Sequence, residues 1–151
     1  MKKILIICVL IIGSYTGFSQ QIDVATGKYY KDGMLYTGEH KEYYETGELL
    51  SLIHIVNGDI DGIQEIYYAG GALKEQRSYD EGLKDGTWIT WNSAGVKVAE
   101  ANYQLDLKHG EWKIWDDNNV LRYEMVYKKG KKTGTWIMYD ETGTETNRKR
   151  Y

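Results

Sequence analysis

Two tryptophans three residues apart, Trp88 and Trp91 in "GTWITWNSAG", are residue types that can stack on a sugar, a peptide or a lipid headgroup. Trp112, Trp115, Trp136 and Tyr139 offer the same chemistry downstream. The polar candidates offer less. His40, His54 and His109 could ligate a metal, yet none stands in an HxxxH or HExxH spacing that would bring two imidazoles to one ion. No GxSxG elbow presents a serine, and Asp116 and Asp117 adjoin a turn signal, where aspartate bonds its local backbone. No segment has the 3.6-residue period of a helix that could follow a phosphate loop. These residues predict no catalytic site, no metal, no cofactor and no enzyme.

The elements that position the aromatic residues follow from a repeat. Gly38, Gly62, Gly86, Gly110 and Gly134 stand at a constant step of 24 residues, which makes one unit recur five times. Five residues after each glycine comes Tyr43, Tyr67, Trp91, Trp115 or Tyr139, and seventeen after it Ile55, Tyr79, Tyr103, Tyr127 or Tyr151. Nine after it come Gly47, Gly71, Gly95, Asn119 and Gly143, residues that accept the positive φ of a tight turn. In the fourth unit Leu121, Tyr123, Met125 and Tyr127 share one parity and Arg122, Glu124 and Lys128 the other, the period of a strand with one buried face. Trp115 breaks the parity of Trp112 and Ile114, so a bulge or a two-sided strand is expected there. Glycine-bearing turns such as "VNGDIDG" and "KKGKKTG" link the units. Each unit is therefore expected to be a β-hairpin, and the chain an all-β, elongated single-sheet meander of consecutive hairpins. Tyr30 and Gly33 repeat the spacing of Tyr79 and Gly82, which predicts a partial unit in front.

Because Trp88, Trp112 and Trp136 are equivalent, as are Trp91 and Trp115, a site built from one pair would occur several times. Two readings follow. The rings form a cross-strand ladder that staples the sheet, or Trp88, Trp91, Trp112, Trp115, Trp136 and Tyr139 form an exposed stripe for a glycan, peptide or lipid. Charge adds a second candidate surface. Residues 20–119 carry 9 basic and 18 acidic side chains, and residues 120–151 carry 8 and 4. Lys128, Lys129, Lys131, Lys132, Arg148, Lys149 and Arg150 make that end basic. Such charges protect an open sheet edge or meet an anionic surface.

The amino end is of another kind. Lys2 and Lys3 precede the apolar run Ile4–Ile12, followed by Gly17 and Ser19, the pattern of a cleavable secretory leader; nine apolar residues fall short of the ~20 that span a bilayer. The expected organisation is a signal peptide over 1–19, a short segment over 20–27 and the repeat domain over 28–151. Secreted or periplasmic location follows. The single cysteine, Cys8, lies in the leader, so no disulfide framework is available. Export and the formal charge of −3 disfavour nucleic acid as a partner.

A unit of leading glycine, aromatic residues, turn glycine, strand ending in tyrosine and "NG" or "DG" turn resembles the MORN repeat, in particular the variant of YwqK-type antitoxin-like bacterial proteins. The resemblance covers about residues 28–151 and implies a sheet of consecutive hairpins that acts in protein association or at membranes. His40 and Gln64 depart from the pattern where later units have tryptophan, and Asp106 and His109 where others have glycine and aspartate. The expected function is an exported, non-catalytic protein-interaction or scaffold module of the cell envelope, with another protein as partner. Alternatives are a module for anionic phospholipid or cell-wall glycan, and an antitoxin or immunity-type inhibitor of a toxin.

Overall fold

The computed structural model describes residues 22–25 and 27–151; the expected leader over 1–19 lies outside them. Strands β1 (Ile22–Ala25), β2 (Lys28–Lys31) and β3 (Met34–Leu35) form a three-stranded antiparallel sheet. The main sheet has twelve strands. They are β4 (Gly38–Tyr43), β5 (Leu49–Val56), β6 (Asp59–Tyr67), β7 (Leu73–Asp80), β8 (Leu83–Lys84) and β9 (Gly86–Trp91), then β10 (Lys97–Gln104), β11 (Leu107–Lys108), β12 (Gly110–Trp115), β13 (Leu121–Lys128), β14 (Lys131–Tyr139) and β15 (Glu145–Arg150). Neighbours in sequence are neighbours in the sheet, with the short β8 and β11 pairing β7 and β10. The fold is all-β, a long antiparallel meander of hairpins that does not close into a barrel. The expected single sheet thus carries a separate small sheet at its front, in which Ile22–Ala25 of the expected short segment forms a strand. The two are tied where Tyr29 N–H donates to the Gly58 carbonyl and Gly58 N–H to that of Tyr36.

Two kinds of turn alternate. The two-residue turns place both residues at positive φ: Asn57 and Gly58 at 49° and 82°, Glu81 and Gly82 at 47° and 83°, Lys129 and Gly130 at 49° and 78°. This geometry matches the right-handed twist of the strands it joins. Each such turn also grips the unit before it: Gly82 N–H donates to Ile60 O, Asp106 N–H to Lys84 O and Gly130 N–H to Lys108 O, at 2.8–2.9 Å. The three-residue loops close with bonds such as Tyr44 N–H to Glu48 O and Gly47 N–H to Tyr44 O. Gly47, Gly71, Gly95, Asn119 and Gly143 have φ of 87°, 84°, 80°, 61° and 79°, as their spacing suggested. Asp116 caps its loop, its Oδ1 accepting the N–H groups of Asn118 and Val120 at 3.0 Å each. These N–H groups, Val120 foremost, with Arg122 beside it, lower the pKa of that carboxyl.

The turn at Leu105 and Asp106 lacks glycine altogether, with φ of 48° and 64°. Leucine in this region sets its Cβ against the following carbonyl, a cost of about 1–2 kcal/mol. Leu105 is 58% exposed, so its side chain recovers little by packing. Leu105→Asn is expected to raise stability by about 1 kcal/mol, because asparagine tolerates this conformation. Urea denaturation checks it.

The hairpin of each 24-residue unit slips register once. Trp91 faces Lys97 while Thr90 faces Ala99, which leaves Val98 as an extra residue, and the same step recurs beside Tyr43, Tyr67, Trp115 and Tyr139. The expected irregularity is therefore real, but its extra residue sits in the return strand. The aromatic strand itself is two-sided. The most deeply buried apolar side chains among the described residues are Ile53 and Ile55 on β5, where Gln64 Nε2 reaches Ser51 Oγ at 3.3 Å. Elsewhere half-buried rings take the place of a core.

Candidate interaction surface

Trp88 lies opposite Ala101, and Trp91, three residues on, lies opposite Lys97 on the other face. The six residues considered as one stripe thus form two rows, Trp88, Trp112 and Trp136 on one face and Trp91, Trp115 and Tyr139 on the reverse. The first row is a ladder. Tyr79, Trp88, Tyr103, Trp112, Tyr127, Trp136 and Tyr151 follow one another at centroid distances of 5.4, 4.9, 5.2, 5.2, 5.2 and 4.9 Å, tilted by 50–62°. Tilted rings at this separation are favourable beyond the area they bury. Each indole N–H is satisfied: Trp88, Trp112 and Trp136 donate to the carbonyls of Ser78, Asn102 and Val126 at 2.9–3.0 Å. A lysine covers each indole, Lys84, Lys108 and Lys132 lying 4.9, 4.3 and 4.3 Å from the ring centroids. Burial raises the hydroxyl pKa of Tyr103 and Tyr127. All three ladder tryptophans are half-buried.

Tyr30 had matched Tyr79 by spacing, but the ring against His40 is that of Tyr29, at 5.5 Å. One extra residue between Gly33 and Gly38 shifts the alternation by one side chain.

The reverse row is polar in its contacts. Tyr67 and Tyr139 donate their hydroxyls to Glu65 and Glu124 at 2.7 Å, and Lys97 Nζ lies 4.4 Å from the Trp115 ring. Donation to Glu65 moves the Tyr67 pKa from 10.0 to about 12. A phenol whose folded pKa is raised contributes stability below the unfolded value and loses it as pH climbs through the folded one. The melting temperature is therefore expected to fall between about pH 10 and 12, and Tyr67→Phe to make that fall shallower; thermal melts across this range check it. At the loop edge of the sheet, single bonds tie one unit to the next: Tyr44 Oη to Tyr67 O, Tyr68 Oη to Trp91 O, Asn92 Nδ2 to Asp117 Oδ1 and Arg122 Nε to Tyr139 O.

The ladder face opens near its carboxyl end into an apolar groove of about 470 Å³, with Ile114, Tyr123, Met125, Trp136, Met138 and Tyr151 in its wall. Ile114, Tyr123 and Met138 are 38–40% exposed. Of the groove's lining, sequence reasoning named Trp136 and Lys149 as site residues. Tyr123 and Met125 are legible as departures from the repeat, standing where the third unit has Ala99 and Ala101.

The basic residues divide by face. Lys132 and Lys149 point over the Tyr151 ring at 5.2 and 4.9 Å. Arg148 grips Glu145 at 2.6 and 2.8 Å, which holds that carboxyl low. Lys128, Lys129, Lys131 and Lys132 surround a hollow of about 420 Å³. Among the described residues no group of three His, Cys, Asp or Glu could hold a metal.

A single open sheet of 24-residue hairpins, stapled by one aromatic row, defines a β-ribbon repeat protein. Residues 36–57, 60–81 and 108–129 match the family model of the MORN repeat variant, so these stretches of the ribbon are similar to MORN repeats. No curated protein matches the chain. Repeats of this kind are generally non-catalytic modules that contact proteins or membranes.

Proposed function

We propose that the chain is an exported, non-catalytic protein-interaction module of the cell envelope, with the ladder as its scaffold and the groove at the carboxyl end as its working surface. The groove carries this reading. Its apolar side chains come from three strands and from Tyr151 and are half-exposed, whereas the positions equivalent to Tyr123 and Met125 upstream hold Glu75, Arg77, Ala99 and Ala101. Exposed apolar patches with a polar rim mark partner surfaces. Export is supported by Lys2, Lys3 and the apolar run after them; amino-terminal sequencing of the protein from the envelope tests it. A photo-reactive residue at Met138 is expected to cross-link one protein in intact cells, and the same residue at Thr90 none. Equal labelling at both positions overturns the reading.

An inhibitor of a toxin, in the manner of YwqK-type proteins, is a special case of this reading, and the cross-linked protein would identify it. The lysine-lined hollow supports a second reading, contact with anionic lipid headgroups. Salt-sensitive flotation with phosphatidylglycerol vesicles tests that reading.

A further inference from the structure

The two-residue turns form one row along a side of the ribbon. Each docks on the unit before it, Gly82 N–H donating to Ile60 O, Asp106 N–H to Lys84 O and Gly130 N–H to Lys108 O, and two strands per unit set neighbouring turns about 10 Å apart. Glu81 and Leu105 are exposed although a further unit follows each, and Lys129 is exposed in the same way.

Charge changes sign along this row. At steps of 24 residues, the position before the turn is Asp80, Gln104 and Lys128, and the first turn residue is Glu81, Leu105 and Lys129. The first residue after the turn is Asp59, Leu83, Leu107 and Lys131. Each series runs from acid through neutral to base, in the same direction. Asp80, Glu81, Lys128, Lys129 and Lys131 are exposed, and none of them belongs to an ion pair among the described residues.

The middle of the row is apolar. Leu83, Leu105 and Leu107 are 40%, 58% and 48% exposed, and Leu105 holds φ of 48°, which costs leucine more than the asparagine of the equivalent Asn57. Asp106, the carboxylate beside Leu105, is engaged on the preceding unit, its Oδ1 accepting the Lys84 N–H at 2.8 Å. A row of acid, leucine and base is complementary to itself reversed. A two-fold axis at the Leu105 turn sets that leucine against its own copy, and equal spacing then brings Glu81 opposite the second chain's Lys129 on both flanks. A parallel pairing would set lysine against lysine.

We propose that this turn edge is the interface of an antiparallel homodimer, with the leucine turns packed at the axis and carboxylate–ammonium pairs on either flank. The partner is a second copy of the chain. This goes beyond the interaction reading, because it uses a side of the ribbon and leaves the groove out. Three turns from each chain make a contact of the class below about 1,200 Å², so the dimer is weak, and its flanking pairs are screened by salt.

The test is analytical ultracentrifugation of the full chain carrying Cys8→Ser, from micromolar to millimolar concentration. The parent is expected to pass from monomer to dimer, with the midpoint raised at least about tenfold by high salt. Asp80→Lys with Glu81→Lys in one chain, and Lys128→Glu with Lys129→Glu in another, should each abolish the dimer while circular dichroism stays unchanged, because like charges then meet on both flanks. Mixed together, the two variants should form a heterodimer, each supplying the charge the other has lost. Leu105→Cys should cross-link to its own copy on oxidation, and Glu81→Cys only to Lys129→Cys. A parent that stays monomeric at millimolar concentration overturns the proposal, as does a dimer that neither charge reversal weakens, a mixture that stays monomeric, or an oxidised Leu105→Cys chain without a cross-link. Loss of vesicle flotation by the lysine variant, with no dimer in the parent, assigns those lysines to lipid instead. The Met138 cross-link reports on the groove and sedimentation on the turn edge, so either reading falls without the other.

Discussion

Replacing Gly86 by valine is expected to cost about 3 kcal/mol or more and to collapse the urea transition of the whole ribbon. Gly86 opens the third unit with φ +89°, and a Cβ added there would sit 2.9 Å from Ser78 Oγ and 3.2 Å from Ser78 Cβ. Backbone strain of this type costs about 1–3 kcal/mol, and the forced contact adds a similar amount. The Ser78 carbonyl also receives the Trp88 indole, so displacing Ser78 disturbs the ladder at its first tryptophan. Gly95→Val supplies the comparison. Its φ is +80°, but nothing lies within 4 Å of the added Cβ. It should lose only the strain, about 1–3 kcal/mol. Equal losses for the two variants would show that the close approach at Ser78 carries no weight.

Trp112→Ala should be as damaging. The ring stands between Tyr103 and Tyr127 at 5.2 Å from each, donates to the Asn102 carbonyl and lies under Lys108. Removing a buried tryptophan costs about 3–5 kcal/mol, and half burial puts this site near the lower end. The substitution also divides the ladder into two shorter runs. A repeat sheet is stabilised by nearest-neighbour terms, so the units after residue 110 are expected to lose amide-exchange protection before those ahead of it. Loss of less than about 1 kcal/mol, with uniform protection, would mean that the rings decorate the sheet without holding it.

Much of this fold is written locally. The 24-residue step, the alternation in the return strands and the turn glycines report on φ and on side-chain period, which each residue fixes with its nearest neighbours. The leading glycines show where that legibility stops. Gly86, Gly110 and Gly134 mark the repeat in the sequence, but their positive φ and the close approach of Ser78, Asn102 and Val126 depend on how one unit docks on the last. The separation of Trp88 from Trp91 follows from strand alternation, whereas the extra residue at Val98 depends on the register set by a three-residue loop. The groove was hidden for a related reason. Ile114, Tyr123, Met125 and Met138 lie on three strands, and a search for what repeats passes over residues such as Tyr123 and Met125 that depart from the repeat.

The division of labour between the faces gives the ladder its second role. Rings, indole N–H groups and lysines are matched to one another from Tyr79 to Trp136, which leaves little for a ligand to take. Toward the carboxyl end the matching lapses, and the groove and the basic side chains come together there.

Met138→Glu, assayed in parallel for melting temperature and for binding to the protein captured at that position, separates scaffold from surface most directly. Met138 is 40% exposed and stands apart from the ring contacts of the ladder. If the groove is the working surface, the melting temperature stays within a degree or two while binding falls at least about tenfold, the loss expected for a charge placed in an apolar contact. Undiminished binding by a folded Met138→Glu protein would contradict it.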